Sequence, residues 1–250
     1  MLFRSEGTNL GRQEIYAEII DPEESGIVKR PWFKLWPADR PLPQFQYVVQ
    51  SYDCATSDKT INDPTACSVW GIFRPSDDKP MSVMLIDCWT EHMQYPELRP
   101  RVVEEYSSIY GDNDEWGNGK KVDMILIEDK SAGISLIQDL QRAGLNVRAY
   151  NPGKADKTAR LNLVAPIIAK GLVYLPESSV NEGMVRDWVE PMLNQVCAFP
   201  EVRNDDYVDA LTQALRLLRD MGFLTVDYLY NDPDIYTDDT KPKRVNPYAV

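Results

Sequence analysis

The sequence carries one histidine, His92, in 250 residues. One imidazole cannot build a histidine-based metal site or a nucleophile triad alone, and His92 reads as a surface residue. The four cysteines, Cys54, Cys67, Cys88 and Cys197, lie far apart within apolar segments. No pair has zinc-type spacing, so buried thiols in a reducing compartment are expected. No apolar run approaches the ~20 residues of a membrane span. The opening MLFRSEGTNLG lacks the apolar segment of a secretory signal. Basic residues are in deficit, 27 against 39 acids, for a net charge of -12. A protein that holds nucleic acid usually shows a basic footprint. Either none is bound, or the basic residues gather on one face. A phosphate-cradling G-x-x-x-x-G-K-[ST] is absent, since Gly117-Asn118-Gly119-Lys120 has the wrong spacing and no strand before it. No G-x-S-x-G elbow, internal repeat or low-complexity tract occurs.

What is present is ordinary in bulk, with 43% hydrophobic and 26% charged residues. The length allows one good-sized domain with extensions. Residues 1–43 read as an extended linker, rich in proline, with Trp32, Phe33 and Trp36 docking on the domain. Three β-rich runs follow, residues 46–52, 65–73 and 81–89, with an antiparallel meander expected. Arg99 to Tyr110 reads as a helix. Val122 to Ile127 is an apolar run ending in Glu128 and Asp129, the pattern of a buried central strand. Beyond it come a helix from Ala132 stopped by Gly144, a strand at 145–150 and a helix at 154–170 stopped by Gly171. A short strand at 172–175, a helix at 185–197 and a helix at 205–221 complete the domain, residues 44–222. Residues 223–250 read as an acidic tail. The order predicts an α/β fold with a mixed sheet and helices on both faces.

The acids are placed with a pattern. Asp53 ends the first strand of the domain and Glu128 the fourth; as parallel neighbours both would project from one sheet edge, where open α/β sheets place ligands. One of Glu128 and Asp129 suffices to favour the next helix N-terminus. Asp206 and Asp209 are three apart and share a face of the last helix, with Asp205 at its N-cap. Asp209 is expected deeper, because Val208 and Leu211 hold that turn to the sheet. Several carboxylates together repel and are costly to bury unpaired. A hard divalent cation such as Mg²⁺ or Mn²⁺ relieves this, and two such ions form the clamp of phosphodiester hydrolysis. The competing account is a scatter of surface acids.

The ordered motifs Tyr52-Asp53-Cys54-Ala55, Asn62-Asp63-Pro64-Thr65-Ala66, Leu126 to Gly133, Asp156 to Arg160, Gly171 to Pro176, and Phe199-Pro200 leading to Asn204 through Leu211 resemble a known family. It is the nuclease domain of the tailed-bacteriophage large terminase subunit, of ribonuclease H-like fold with a five-stranded-type mixed sheet. The resemblance spans roughly Tyr47 to Leu218. It implies a metal-dependent DNA endonuclease that cuts concatemeric viral DNA during genome packaging. Asp53, Glu128, Asp206 and Asp209 would be its catalytic metal ligands, Asp129 a reserve, and two Mg²⁺ or Mn²⁺ ions its cofactors. Lys130, Lys154, Lys157 and Arg160 would hold the phosphates of double-stranded DNA. The resemblance further implies a portal, a small terminase subunit and an ATPase motor as partners, no membrane, and the cytoplasm of an infected bacterial cell. No ATPase sequence is present here, so the stretch to Pro43 resembles the end of an inter-domain linker. The alternative of another class is a non-catalytic ribonuclease H-like docking module.

Overall fold

The computed structural model describes residues 25–54, 64–111, 119–130 and 132–225. The expectations for residues 1–24, for most of the two polar loops and for the acidic tail beyond 225 therefore lie outside the described residues, as do Asn62, Asp63 and Ser131.

The strands are β1 (Lys34–Trp36), β2 (Tyr47–Asp53), β3 (Thr65–Phe73), β4 (Ser82–Glu91), β5 (Ile109–Tyr110), β6 (Lys120–Lys121), β7 (Met124–Glu128), β8 (Val147–Tyr150) and β9 (Val173–Pro176). The helices are α1 (Tyr95–Tyr106), α2 (Ala132–Arg142), α3 (Lys157–Ala169), α4 (Glu190–Ala198) and α5 (Asp206–Asp220). Seven strands form one mixed sheet in the order β1-β9-β4-β3-β2-β7-β8, and β5 and β6 pair separately. Only β3 runs against the others, pairing antiparallel with both β2 and β4. The antiparallel meander is thus present, and the five-stranded core is widened by β9 and β1.

Alternation of side chains assigns each strand residue to a layer. In β3, Ala66, Trp70 and Ile72 join the core that holds α3, α4 and α5. Cys67, Val69 and Phe73 join the core beneath α1 and α2. Helices thus cover both faces, as expected. All four cysteines are free and buried, and His92 is exposed. No helix among the described residues is long and apolar enough to cross a membrane.

Three elements differ most from the sequence reading. Residues 34–36, read only as extended linker, pair in parallel with β9 as the sheet's edge strand. Phe33 is buried and Trp32 and Trp36 pack on the two cores, as their docking required. Helix α1 starts four residues earlier than Arg99, because Pro96 occupies its first turn and Glu97 accepts from the Gln94 amide at 3.3 Å. It then stops at Tyr106, leaving Ile109 and Tyr110 to β5. Helix α4 begins at Glu190 rather than at 185, with Pro191 in its first turn.

Candidate active site: an acidic cluster with built-in cations

Strand β2 pairs in parallel with β7, with Tyr52 opposite Ile127. The next residues along, Asp53 and Glu128, are therefore side by side at the carboxyl edge. Asp53 shares strand parity with Val49 and Ser51, and Glu128 with Met124 and Leu126. Val49, Met124 and Leu126 all pack in the layer of α3, α4 and α5, so both acids face that layer. Helix α5 packs on β2 and β3 there. Its Asp209 is 5% exposed, while Asp206 is half-buried at the helix start. The deeper placement of Asp209 follows from Val208 and Leu211, both fully buried.

Gly133 lets the following helix close on this edge. A Cβ there would lie 2.2 Å from the Glu128 carbonyl oxygen and 3.2 Å from Ile127 Cγ2. Only a residue without Cβ lets α2 start so near the end of β7.

The cations arrive on α3. Asp156 caps this helix by accepting from the Ala159 amide at 2.7 Å. Lys157 and Arg160, three apart, then share the face turned to α5. Lys157 Nζ lies 2.6 Å from Asp205 Oδ1 and 2.7 Å from Asp209 Oδ2. Arg160, 7% exposed, places Nη2 at 2.9 Å from Asp209 Oδ1 and Nη1 at 4.0 Å from Glu128 Oε1. Lys130 Nζ is 2.6 Å from Glu128 Oε1. Asp205 stands at the N-cap of α5, yet its side chain makes no capping bond. It pairs with Lys157 instead, which corrects the capping role read from its position.

The electrostatics follow from this crowding. Burial first, then the charges of Asp209 and Glu128, push the Asp53 carboxyl well above the usual range, and a hydrogen bond with Glu128 adds to the shift. Lys157 pulls weakly the other way. Burial also raises Asp209, against the hydrogen bond and charge of Lys157 and the charge of Arg160. For Lys157 burial favours the neutral amine, but its hydrogen bonds to Asp205 and Asp209 win and hold the ammonium above its ordinary range. Asp53 and Glu128 thus stand side by side at the strand ends, while both oxygens of Asp209 face cations.

Of the residues expected at the site, Asp53, Glu128 and Asp209 converge. Asp209 rather than Asp206 is the last-helix acid among the strongest influences on Asp53. Asp129 is exposed, its amide donating to the Tyr150 carbonyl at 2.8 Å. Lys130 and Lys154 are exposed, as phosphate ligands would be. Arg160 is buried against carboxylates, so its guanidinium acts inside the cluster rather than on its surface. Sequence reasoning did not single out Ser51 and Gln213, both buried between β2 and α5. The one available signal was a glutamine one turn after Asp209 on the same helix.

The donor set suits a hard divalent cation, since Asp53, Glu128 and Asp209 offer carboxylate oxygens alone. Glu128 Oε1 and Asp209 Oδ1 are buried and touched by cations, but neither has an aligned hydrogen bond. Among the described residues no three acidic, cysteine or histidine side chains are already gathered closely enough to hold a metal ion. Lys157 and Arg160 draw Asp209 to themselves, which leaves Asp53 and Glu128 as the close pair.

A family model described as the terminase RNaseH-like domain matches residues 50–218. Among solved structures, the large terminase nuclease of thermophilic phage G20c with bound zinc is 14% identical over 74% of this chain and 94% of that one, with a TM-score of 0.46. The large terminase nuclease domain of bacteriophage SPP1 with bound Mn is 13% identical, over 75% of this chain and 97% of that one, at a TM-score of 0.42. The Fowlpox virus resolvase, in complex with Holliday junction DNA, is 14% identical over 69% of this chain and 99% of that one, at 0.39. Curated protein sequences yield no match. With well over half its length matched, from Gln50 in β2 to Leu218 in α5, the chain belongs to the terminase RNaseH-like domain family.

Proposed function

We propose that this chain is a metal-dependent DNA endonuclease, the nuclease part of a phage large terminase subunit. The observation that carries the reading is the convergence of Asp53, Glu128 and Asp209, from the ends of β2 and β7 and the first turn of α5, on one edge of a sheet of this family. Asp53 and Glu128 would hold one divalent ion, and Asp53 with Asp209 a second, Mg²⁺ or Mn²⁺ by donor type. Such ions supply an acidified water and a clamp on the phosphate oxygens. The chain's own contribution is to hold the acids apart from bulk water and to set their spacing. Lys130 and Lys154, exposed beside the edge, would contact backbone phosphates of double-stranded DNA without reading sequence. In the proposed setting the enzyme cuts concatemeric viral DNA in the cytoplasm of the infected cell. It would work there with a portal, a small terminase subunit and the ATPase motor of the full-length subunit.

One observation favours a second reading. Both oxygens of Asp209 are ion-paired, one with Lys157 and one with Arg160, as in a purely structural ion-pair network of a docking module. Melting in Mn²⁺ against EDTA, with plasmid nicking measured alongside, separates the two. An endonuclease melts higher in Mn²⁺ and nicks; Asp53→Asn loses both properties while remaining folded. Equal melting temperatures and no nicking by the wild type would establish the docking module.

A further inference from the structure

Two buried hydrogen bonds cross between β2 and α5, and each joins a side chain of one element to the main chain of the other. Ser51 Oγ donates to the Ala210 carbonyl at 2.7 Å. Gln213 Nε2 donates to the Tyr52 carbonyl at 2.8 Å. Ser51 is 0% and Gln213 2% exposed. Their positions are not arbitrary. Ser51 precedes Asp53 by two residues and so shares its strand face, and its acceptor Ala210 follows Asp209. Gln213 follows Asp209 by one helical turn, and its acceptor is the carbonyl of the peptide that enters Asp53.

We propose that Ser51 and Gln213 form a reciprocal clamp that sets the spacing between Asp53 and Asp209, which makes both of them positioning residues for the site. The inference rests on the endonuclease reading above and extends it. Hydrophobic burial, which supplies most of the contact between α5 and the sheet, is non-directional and would tolerate a helix shifted along its axis. Directional bonds to fixed carbonyls do not. The Tyr52–Asp53 peptide is held from the far side as well. Tyr52 Oη donates to Glu105 Oε2 at 2.7 Å through the α1 layer. Glu105 accepts from Arg101 Nε at 2.8 Å, and the Arg101 guanidinium lies 3.8 Å over the Trp89 ring. The residue just before Asp53 is therefore pinned from both faces of the sheet. The clamp uses the only two polar side chains that reach a main-chain carbonyl across this interface among the described bonds.

Such outer supports to a metal-binding carboxylate change affinity or activity roughly 10–100-fold when removed. The test compares wild type with Ser51→Ala, Gln213→Met and the double variant, and with Leu215→Val as a control that weakens the same helix without touching the clamp. Crystal structures measure the Asp53–Asp209 carboxylate separation, and calorimetry with Mn²⁺ alone measures its half-saturation. The double variant is expected to widen the Asp53–Asp209 separation while leaving Asp53 beside Glu128. Its Mn²⁺ half-saturation should rise roughly 10–100-fold, with kcat for nicking reduced and the DNA KM unchanged. Leu215→Val should lower the melting temperature and leave these readings alone. An unchanged separation and unchanged Mn²⁺ half-saturation in the folded double variant would overturn the clamp. If the double variant fails to fold, the single variants are judged by the same two readings. If the wild type takes up no Mn²⁺, the endonuclease reading fails, and the carboxylate separation still decides whether the clamp exists.

Discussion

Gly133→Ala is the smallest change expected to disturb the acidic edge from outside it. The added Cβ would stand 2.2 Å from the carbonyl oxygen of Glu128, short of an ordinary contact at 3.4 Å by about 1.2 Å. The obstructing atom is main chain at the end of β7, so no side chain can swing aside. Either α2 retreats from the sheet or the last residue of β7 moves, and β7 is bonded on both sides, to β2 and β8. Overpacking of this kind costs about 1–3 kcal/mol, equivalent to a fall of roughly 2–12 °C in melting temperature for a domain of this size. The more telling effect is on Glu128. Displacing a site group by about 1 Å can cost about 10²-fold in rate, so Mn²⁺-dependent nicking should fall more than stability predicts. Gly144→Ala is the matched control. Its φ of +81° makes alanine strained there, but nothing lies within 4 Å of the added Cβ and the site is remote. Differential scanning fluorimetry and plasmid nicking on both variants settle it. A Gly133→Ala protein that melts and nicks as the wild type does would mean that α2 does not brace the Glu128 end of β7.

Asp53→Asn should abolish nicking and stabilise the apo protein at neutral pH. Burial, with the Asp209 and Glu128 charges behind it, raises the Asp53 carboxyl. The Asp53 contribution to stability is therefore most favourable below about pH 4, where its carboxyl is protonated in folded and unfolded chains alike, and is lost as pH rises through the folded value. The mutant's advantage in urea melts should be small near pH 4 and larger at pH 7.5; a constant difference would contradict this. Arg160→Ala leaves buried Asp209 with Lys157 alone and should cost at most about 3–5 kcal/mol, whereas Lys154→Ala should keep stability and flatten the salt dependence of DNA binding, read by anisotropy titrations. A stable Arg160→Ala protein with a flattened salt slope would place this guanidinium on the DNA side. Asp205→Ala should cost at most about 1 kcal/mol, the worth of a half-exposed ion pair. A loss near 2 kcal/mol in chemical denaturation would restore the capping role.

The sequence disclosed those parts of the fold that rest on periodicity. β-rich runs gave β2, β3 and β4 and a continuous apolar run gave β7, and their order put Asp53 and Glu128 on adjacent parallel strands, as the Tyr52–Ile127 register bears out. The stripe of Val208, Leu211, Leu215 and Leu218 gave α5 and the depth of Asp209. What stayed hidden had non-local causes. Lys34 to Trp36 has too few residues for a pattern and becomes a strand only because β9 presents an open edge. Asp205 is an orthodox cap by position, and only the approach of α3 gives its oxygen to Lys157. Ser51 and Gln213 bond to carbonyls 159 and 161 residues away. Main-chain acceptors carry no sequence signature, so such partners cannot be read from residue types.

The two kinds of contact around Asp209 respond differently to ionic strength. Lys157 and Asp205 are about one-third exposed, so their attraction weakens as salt shortens the Debye length from about 10 Å at 0.1 M to about 3 Å at 1 M. The bonds from Ser51 and Gln213 join neutral groups in the dry layer between β2 and α5, and mobile ions do not reach them. Concentrated salt therefore relaxes the half-exposed Lys157 contact between α3 and α5 while the frame that spaces Asp53 from Asp209 keeps its dimensions.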